Sequence, residues 1–306
     1  MKMHSLSEST VKQLTTVGLN ASDIHDLIVR TVQEDLAGGI DITSVATVPL
    51  SQRSIVSFGS RADGTLAGVL IAKAVVDVVC GDTASSFSIV KNDGDKVAKG
   101  DIIARVDAPT QLMLTAERTA LNLMCHLSGV ATATSHWVEA VRGTRAIIRD
   151  TRKTTPLLRA LEKYAVRCGG GQNHRMALSD AALVKDNHVA AAGGIVPAFE
   201  AVRKTAPGIV IEVEVDTLDQ LREVIDAGAD LVLLDNMAPH IMREAVAIVD
   251  AHKDSTGRAV LLEASGGLTL EKAKAVAETG VHYISVGALT HSSSILDIGL
   301  DFETIA

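Results

Sequence analysis

The chain of 306 residues is long enough for one large or two ordinary domains with a sizeable core. Hydrophobic residues make up 47 % and charged residues 22 %, while four Phe, two Tyr and one Trp leave the core to aliphatic side chains, so disordered, collagen-like and coiled-coil chains are excluded. A formal net charge of −8 and the scarcity of rings argue against a nucleic-acid partner, which needs a basic face and stacking platforms. An anionic ligand has to be caught locally.

Cys80, Cys125 and Cys168 show no paired spacing of a zinc or redox site, and free thiols suit a reducing cytoplasm. The apolar stretch Leu66 to Cys80 contains Lys73 and Asp77 and is too short to span a bilayer. The polar first twenty residues lack the apolar core of a signal peptide. The expectation is a soluble cytoplasmic protein with no membrane partner.

After a frayed start, Ser22 is placed to cap a helix whose Ile24, Leu27, Ile28 and Val32 recur at helical spacing, ending near Gly38 and Gly39. From Arg53 to Ala108, strand-like runs such as SIVSF and DIIARV alternate with turn signals around one helical segment, about Gly68 to Cys80, which predicts a small α+β unit. Within it NDGDKVAKGDIIARV is similar to the hairpin surface of lipoyl and biotinyl domains. The chain's Met-Lys-Met lies at Met1 to Met3, away from that hairpin, so an unmodified hairpin is expected. A long alanine-rich helix follows from about Gln111 to Val141, with a break expected at Ser128-Gly129.

Six apolar runs come next: RAIIRD, ALVK, IVIEVEV, LVLLD, VLLEAS and YISVG. Their ends fall about 20 to 35 residues apart, the length of a strand plus crossover helix. Six such units favour a closed or nearly closed α/β barrel over an open doubly wound sheet, and no dinucleotide-type glycine fingerprint follows any strand. In either fold the functional groups belong at the C-terminal strand ends.

Side chains alternate along a strand, so Glu212, Glu214 and Asp216 share the face opposite Ile211, Val213 and Val215 and point into the barrel. Glu212 reads equally as an internal salt bridge or as a functional group, whereas Glu214, nearer the mouth, reads as functional. With Asp235 on the next strand it offers two carboxylates for Mg²⁺, through waters or ribose hydroxyls. Ser265-Gly266-Gly267 and Val286-Gly287-Ala288 end the last two strands, the recurrent phosphate position of such barrels. Arg149, Arg152, Lys153, Arg167, His174, Arg175 and Lys185 crowd the earlier strand ends, and Arg152, Lys153, Arg175 and Lys185 sit at or beside the mouth, where they can grip carboxylates or phosphates; Arg159 and Arg167 read as solvated loop charges. His174, Asp186 and His188 lack the spacing of a transition-metal site.

The ordered set ERTALNLMCHLSGVATAT, DTRKTTPLLRALEKYAVRCGGGQNHR, ALVKDNH, IEVEVD, LVLLDN, ASGGL and ISVGALTHS, together with EDLAGGIDITS nearer the start, closely resembles the quinolinate phosphoribosyltransferase family over nearly the whole chain. The resemblance implies an α/β fold: an N-terminal α+β sandwich, residues 1–120, completed by a tail, residues 290–306, and an incomplete α/β barrel, residues 121–289. It implies transfer of phosphoribose from phosphoribosyl pyrophosphate to the ring nitrogen of quinolinate with loss of CO₂, giving nicotinate mononucleotide in NAD biosynthesis with Mg²⁺ as cofactor. Arg152, His174, Arg175 and Lys185 carry over to the quinolinate pocket, with Arg118 entering from the partner subunit of a homodimer that shares its active sites or of a higher oligomer. Lys153 matches the position facing the pyrophosphate, Thr151 is carried over as substrate-binding, and Glu214 and Asp235 match the ribose and magnesium positions. Ser265, Gly266, Gly267, Val286, Gly287, Ala288 and His291 match the 5′-phosphate side. Lys153, Lys185, Glu214 and Asp235 are the catalytic candidates.

Rival readings are a barrel aldolase or epimerase acting on a phosphorylated sugar, a non-catalytic carrier module resting on the hairpin, and the related phosphoribosyltransferase-like protein found beside molybdate transporters. The first shares the glycine turns but needs no such density of Arg and Lys.

Overall fold

The computed structural model describes residues 2–305, and in it the chain divides into two compact units. Of the described residues the first holds 2–133, 160–170 and 292–305, and the second 134–159 and 171–291. The boundary expected at 120/121 therefore falls within a helix, and the division lies at 133/134.

Helix α1 (Glu8–Thr16) occupies the start that was expected to fray, capped by Ser7, whose side chain accepts the amide of Thr10. Its polar sequence hides the two buried residues, Thr10 and Leu14, that tie it down. Helix α2 (Ala21–Leu36) is capped by Asn20 rather than Ser22: Asn20 Oδ1 accepts the amides of Ser22 and Asp23 at 2.9 and 3.3 Å. A short α3 (Ile42–Thr47) follows, capped by Asp41.

Strands β1 (Arg53–Ser60) and β2 (Gly64–Thr65), helix α4 (Val69–Cys80), and strands β3 (Ser86–Ile89), β4 (Lys96–Val97) and β5 (Ile102–Pro109) build the small mixed unit. The expected hairpin does not pair with itself. β4 joins β2 in a two-stranded sheet, while β5 lies between β1 and β3. Phe58, Ile71, Val75, Ile103 and Val106 are fully buried, each contributing about 1.5–3 kcal/mol through loss of water contact.

Helix α5 (Thr110–Ala140) runs unbroken through Ser128-Gly129. Gly129 is there for space: a Cβ at that position would lie 2.1 Å from the carbonyl oxygen of Ser294.

In chain order β6 (Ile147–Arg149), α6 (Arg159–Cys168), β7 (Ala182–Val184), α7 (Asp186–Ala192), α8 (Ile195–Thr205), β8 (Ile211–Val215), α9 (Leu218–Asp226), β9 (Leu231–Asp235), α10 (Pro239–Thr256), β10 (Leu261–Ser265), a 3₁₀ turn with α11 (Ala273–Ala277), β11 (Tyr283–Ser285) and α12 (Ala288–His291) follow. All six apolar runs are strands, and their ladders are parallel. The spatial order is β7-β8-β9-β10-β11-β6, so the strands run in sequence and the last pairs with the first. A doubly wound sheet reverses its order at the middle; this order belongs to a barrel left open between β6 and β7. Past the barrel, β12 (Ile298–Ile305) pairs antiparallel with β1 and completes the four-stranded sheet β12-β1-β5-β3 of the first unit. No helix among the described residues is long and apolar enough to cross a membrane.

Candidate active site

Parallel register places Leu183 beside Glu212, both Glu214 and Glu263 beside Leu233, Ser265 beside Asp235, and Ser285 beside Arg149. Residues two apart share a face, so Glu212, Glu214, Leu233, Asp235, Glu263, Ser265, Tyr283, Ser285 and Arg149 all turn inward. The C-terminal strand ends open on a cleft of about 670 Å³, lined by Thr151, Arg152, Lys153, His174, Arg175, Lys185, Glu214, Asp235, Ser265, Gly266 and Gly267 among the expected residues.

One wall is cationic. The segment carrying His174 and Arg175 is pinned to β6 because Gln172 bridges Arg149, and the buried Asp150 accepts the His174 amide at 2.9 Å and Asn173 Nδ2 at 2.5 Å. Arg175 Nη1 donates to the carbonyl of Ala181 at 3.0 Å, which fixes its head. Burial and the neighbouring Arg152 charge hold the Arg175 guanidinium below its ordinary value. Among the described residues neither arginine forms an ion pair, and Arg152 Nε is buried without a hydrogen-bond partner. Two crowded guanidiniums with unused donors make a receptor for a dianion.

The opposite wall is acidic. Glu214 stands 2.5 Å from Lys185 Nζ, and Asp235 accepts Asn236 Nδ2 at 2.7 Å. Asn236 adopts a left-handed backbone, φ 52°, while its amide donates to the Ser265 carbonyl. Carboxylate oxygens at adjacent strand ends are the hard donors that Mg²⁺ prefers, so this pair fits the ion.

At the far end a recess of about 180 Å³ is lined by Thr151, Lys153, Ser265, Gly266, Gly267, Val286, Gly287, Ala288 and His291. Gly266 and Gly267 have φ of 91° and 57°, and among the described residues their amides donate to no protein acceptor. The following helical segment is a 3₁₀ turn and a five-residue α11, so the anion-binding capacity lies in these amides rather than in a long helix dipole. Gly287 leaves room for Lys153 and His291, whose side-chain atoms would lie 3.1 and 3.2 Å from a Cβ there.

Below the mouth, alternation also turns Glu263 inward, a residue that the reading of VLLEAS as a strand had left unassigned. Burial and the Glu212 charge raise its carboxyl above the ordinary value, against the pull of the Arg149 guanidinium. Its oxygens accept from Arg149 Nη1 at 2.8 Å and Ser285 Oγ at 2.5 Å, and the Arg149 guanidinium lies 4.2 Å over the Tyr283 ring. Arg149 is thus structural and does not line the cleft. His174, Glu212 and Glu263 bring ligand-type atoms within 4.8 Å of one another, but Glu263 is already satisfied by a cation and a hydroxyl. The trio is a buried polar network rather than a metal centre. His188 Nδ1 accepts the Lys185 amide at 2.9 Å and does not join His174.

Arg159 donates to Thr154 Oγ1 and the Met176 carbonyl, and Arg167 to the Val17 carbonyl, so both hold loops. Arg118 lies exposed on α5 and does not line the cleft. Asp186, Asn236, Glu263, Leu183, Leu233 and Ser285 complete the lining; the parity of each strand points to the last four, whereas the left-handed turn at Asn236 leaves no mark in the sequence.

Family models for the N- and C-terminal domains of quinolinate phosphoribosyl transferase match residues 41–128 and 130–301. The nicotinate-nucleotide pyrophosphorylase [carboxylating] of Mycobacterium leprae is 51 % identical over 277 residues, covering 90 % of this chain and 96 % of that protein. The Bacillus subtilis protein named probable nicotinate-nucleotide pyrophosphorylase [carboxylating] is 41 % identical, covering 92 % and 94 %. The solved nicotinate-nucleotide pyrophosphorylase of Francisella tularensis superimposes with a TM-score of 0.85 at 36 % identity, covering 92 % and 96 %. With both domain models matched in order and the fold shared, the chain belongs to the quinolinate phosphoribosyltransferase family.

Proposed function

We propose that the protein transfers phosphoribose from phosphoribosyl pyrophosphate to the ring nitrogen of quinolinate and releases pyrophosphate, CO₂ and nicotinate mononucleotide, a step of NAD biosynthesis. The observation that carries this reading is the pair Arg152 and Arg175, crowded in one cleft and forming no ion pair among the described residues. Quinolinate is a dianion that must approach a polyanion. Arg152, Arg175 and Lys185 offset that repulsion and aim the ring nitrogen at the ribose C1′. Lys153, between the two recesses, faces the departing pyrophosphate, while Gly266, Gly267 and the turn Val286-Gly287-Ala288 with His291 hold the 5′-phosphate.

The C1′–O bond to pyrophosphate breaks with its electron pair as the nitrogen attacks. Positive charge then develops on the ribose beside Glu214 and Asp235, which stabilise it. Those carboxylates would hold Mg²⁺, which when bound neutralises pyrophosphate charge. Once ribosylated, the ring nitrogen is cationic and accepts the electron pair left at C2 when the carboxylate departs as CO₂; a proton then replaces it.

The reading extends to a homodimer in which Arg118, exposed on α5, completes the partner's quinolinate pocket, and to the cytoplasm, where the thiols Cys80, Cys125 and Cys168 remain free. Purified protein incubated with carboxyl-labelled quinolinate, phosphoribosyl pyrophosphate and Mg²⁺ should release labelled CO₂ with one nicotinate mononucleotide per CO₂. Labelled quinolinate left intact would overturn the reading.

A further inference from the structure

The His174 ring meets the Arg175 backbone at one nitrogen and two carboxylates at the other. Nδ1 accepts the backbone N–H of Arg175 at 2.7 Å, and a nitrogen that accepts carries no proton, so the ring proton sits on Nε2. Nε2 lies 2.7 Å from Glu212 Oε2 and 3.5 Å from Glu263 Oε1. Glu263 is committed to Arg149 and Ser285. Glu212 has no such commitment: it is 2 % exposed, and His174 Nε2, at 2.7 Å, is the one polar side-chain atom within ion-pair reach of its oxygens among the described residues. A carboxylate kept in that condition beneath a binding cleft is costly, and its nearest donor is the imidazole.

We propose that Glu212 is a positioning residue for quinolinate: it holds His174 as the neutral Nε2–H tautomer, and through Nδ1 fixes the backbone of Arg175 so that the guanidinium meets a substrate carboxylate. The proposal rests on the cleft being the quinolinate site. His174 then packs beneath the substrate and gives it no hydrogen bond, because Nδ1 is occupied by the Arg175 amide and the Nε2 proton faces the carboxylates. An imidazolium would set a second proton on Nδ1 against the Arg175 N–H, two donors facing each other. The neutral ring leaves the grip on the dianion to Arg152, Arg175 and Lys185, and the Glu212 charge supports that of Arg175 from below. A carboxylate that only orders the barrel would affect both substrates equally; a positioning residue acts on one.

The test uses ¹⁵N-labelled full-length protein, with the His174 ring signals assigned by their loss in His174→Gln. Wild type and Glu212→Gln, whose amide oxygen still accepts, should show Nε2 protonated and Nδ1 bare. In Glu212→Leu that pattern should vanish, with the quinolinate KM raised about tenfold, kcat within about twofold and the KM for phosphoribosyl pyrophosphate unchanged, while Glu212→Gln should recover most of the KM. An imidazolium or an Nδ1–H ring in wild type overturns the proposal. So does an unchanged quinolinate KM in Glu212→Leu, or equal losses toward both substrates. Should Glu212→Leu fail to fold, the wild-type spectrum and the Glu212→Gln kinetics decide. Wild-type protein with the Nε2–H ring that binds no quinolinate overturns the substrate reading itself, whereas tight quinolinate binding with an Nδ1–H ring overturns the proposal alone.

Discussion

Lys185 Nζ and Glu214 Oε2 meet at 2.5 Å across the ends of β7 and β8, an alignment set by the register of Val184 with Val213. The pairing compensates both charges at the mouth of the cleft. Glu214→Gln and Asp235→Asn should therefore fold with wild-type Tm, lose about a hundredfold or more in kcat, and lose the response to Mg²⁺. A variant with lowered Tm and wild-type turnover would place these acids in the scaffold instead.

Division of labour between the cations is measurable by calorimetry. Arg152→Ala and Arg175→Ala should each weaken quinolinate binding by ~2–5 kcal/mol while sparing phosphoribosyl pyrophosphate. Lys153→Ala should do the reverse. Equal losses for both ligands would contradict the two-walled site.

Gly266 offers a steric test. Its φ of 91° disfavours any side chain, and a Cβ would sit 2.3 Å from Asn236 Oδ1. Gly266→Ala should raise the KM for phosphoribosyl pyrophosphate about tenfold and leave quinolinate affinity near wild type. Unchanged kinetics would show that the turn at Gly266 does not hold phosphate.

Asp93 carries a pH signature away from the cleft. Its carboxyl is enclosed although the residue is only partly buried, and that enclosure raises it above the ordinary 3.8 despite donors at Val69 N and Tyr164 Oη. The protonated form favours the fold; this contribution is complete below the ordinary value and lost as pH rises through the folded one. The Tm of Asp93→Asn relative to wild type should accordingly climb as pH rises from about 4 to 8. A difference constant with pH would show the folded value to be ordinary.

Arg118 tests the proposed sharing of the site between subunits. Arg118→Ala and Arg175→Ala, each nearly inactive, should recover about a quarter of wild-type activity after random subunit exchange, since about half the dimers are mixed and one of their two sites is whole. Native mass spectrometry establishes the exchange. Heterodimers without activity would confine Arg118 to its own chain.

The barrel was legible because its strands are apolar runs closed by polar or glycine residues, a pattern that depends only on local alternation and length. The cleft followed from the same rule, since parallel strands gather their C-terminal ends. Long-range events were not legible. Lys96–Val97 leaves the Asp-Gly turn to pair with Gly64–Thr65, and Gly129 serves an approach by Ser294 that no neighbour in sequence reveals. Glu263 was within reach, because it shares its strand face with Ser265. Its meaning was not, because Arg149 and His174 reach it from other segments.

The pairing of β12 with β1 has a consequence for synthesis. During translation β1 emerges early, yet the strand that covers its outer edge follows all six barrel strands. At about 5–20 residues per second the ribosome makes the entire barrel while that edge stands open, a template for the wrong strand. Nascent chains stalled before Ile298 should thus be the aggregation-prone species and the natural clients of a holdase, and a circular permutant that delivers β12 ahead of β1 should fold with less chaperone demand.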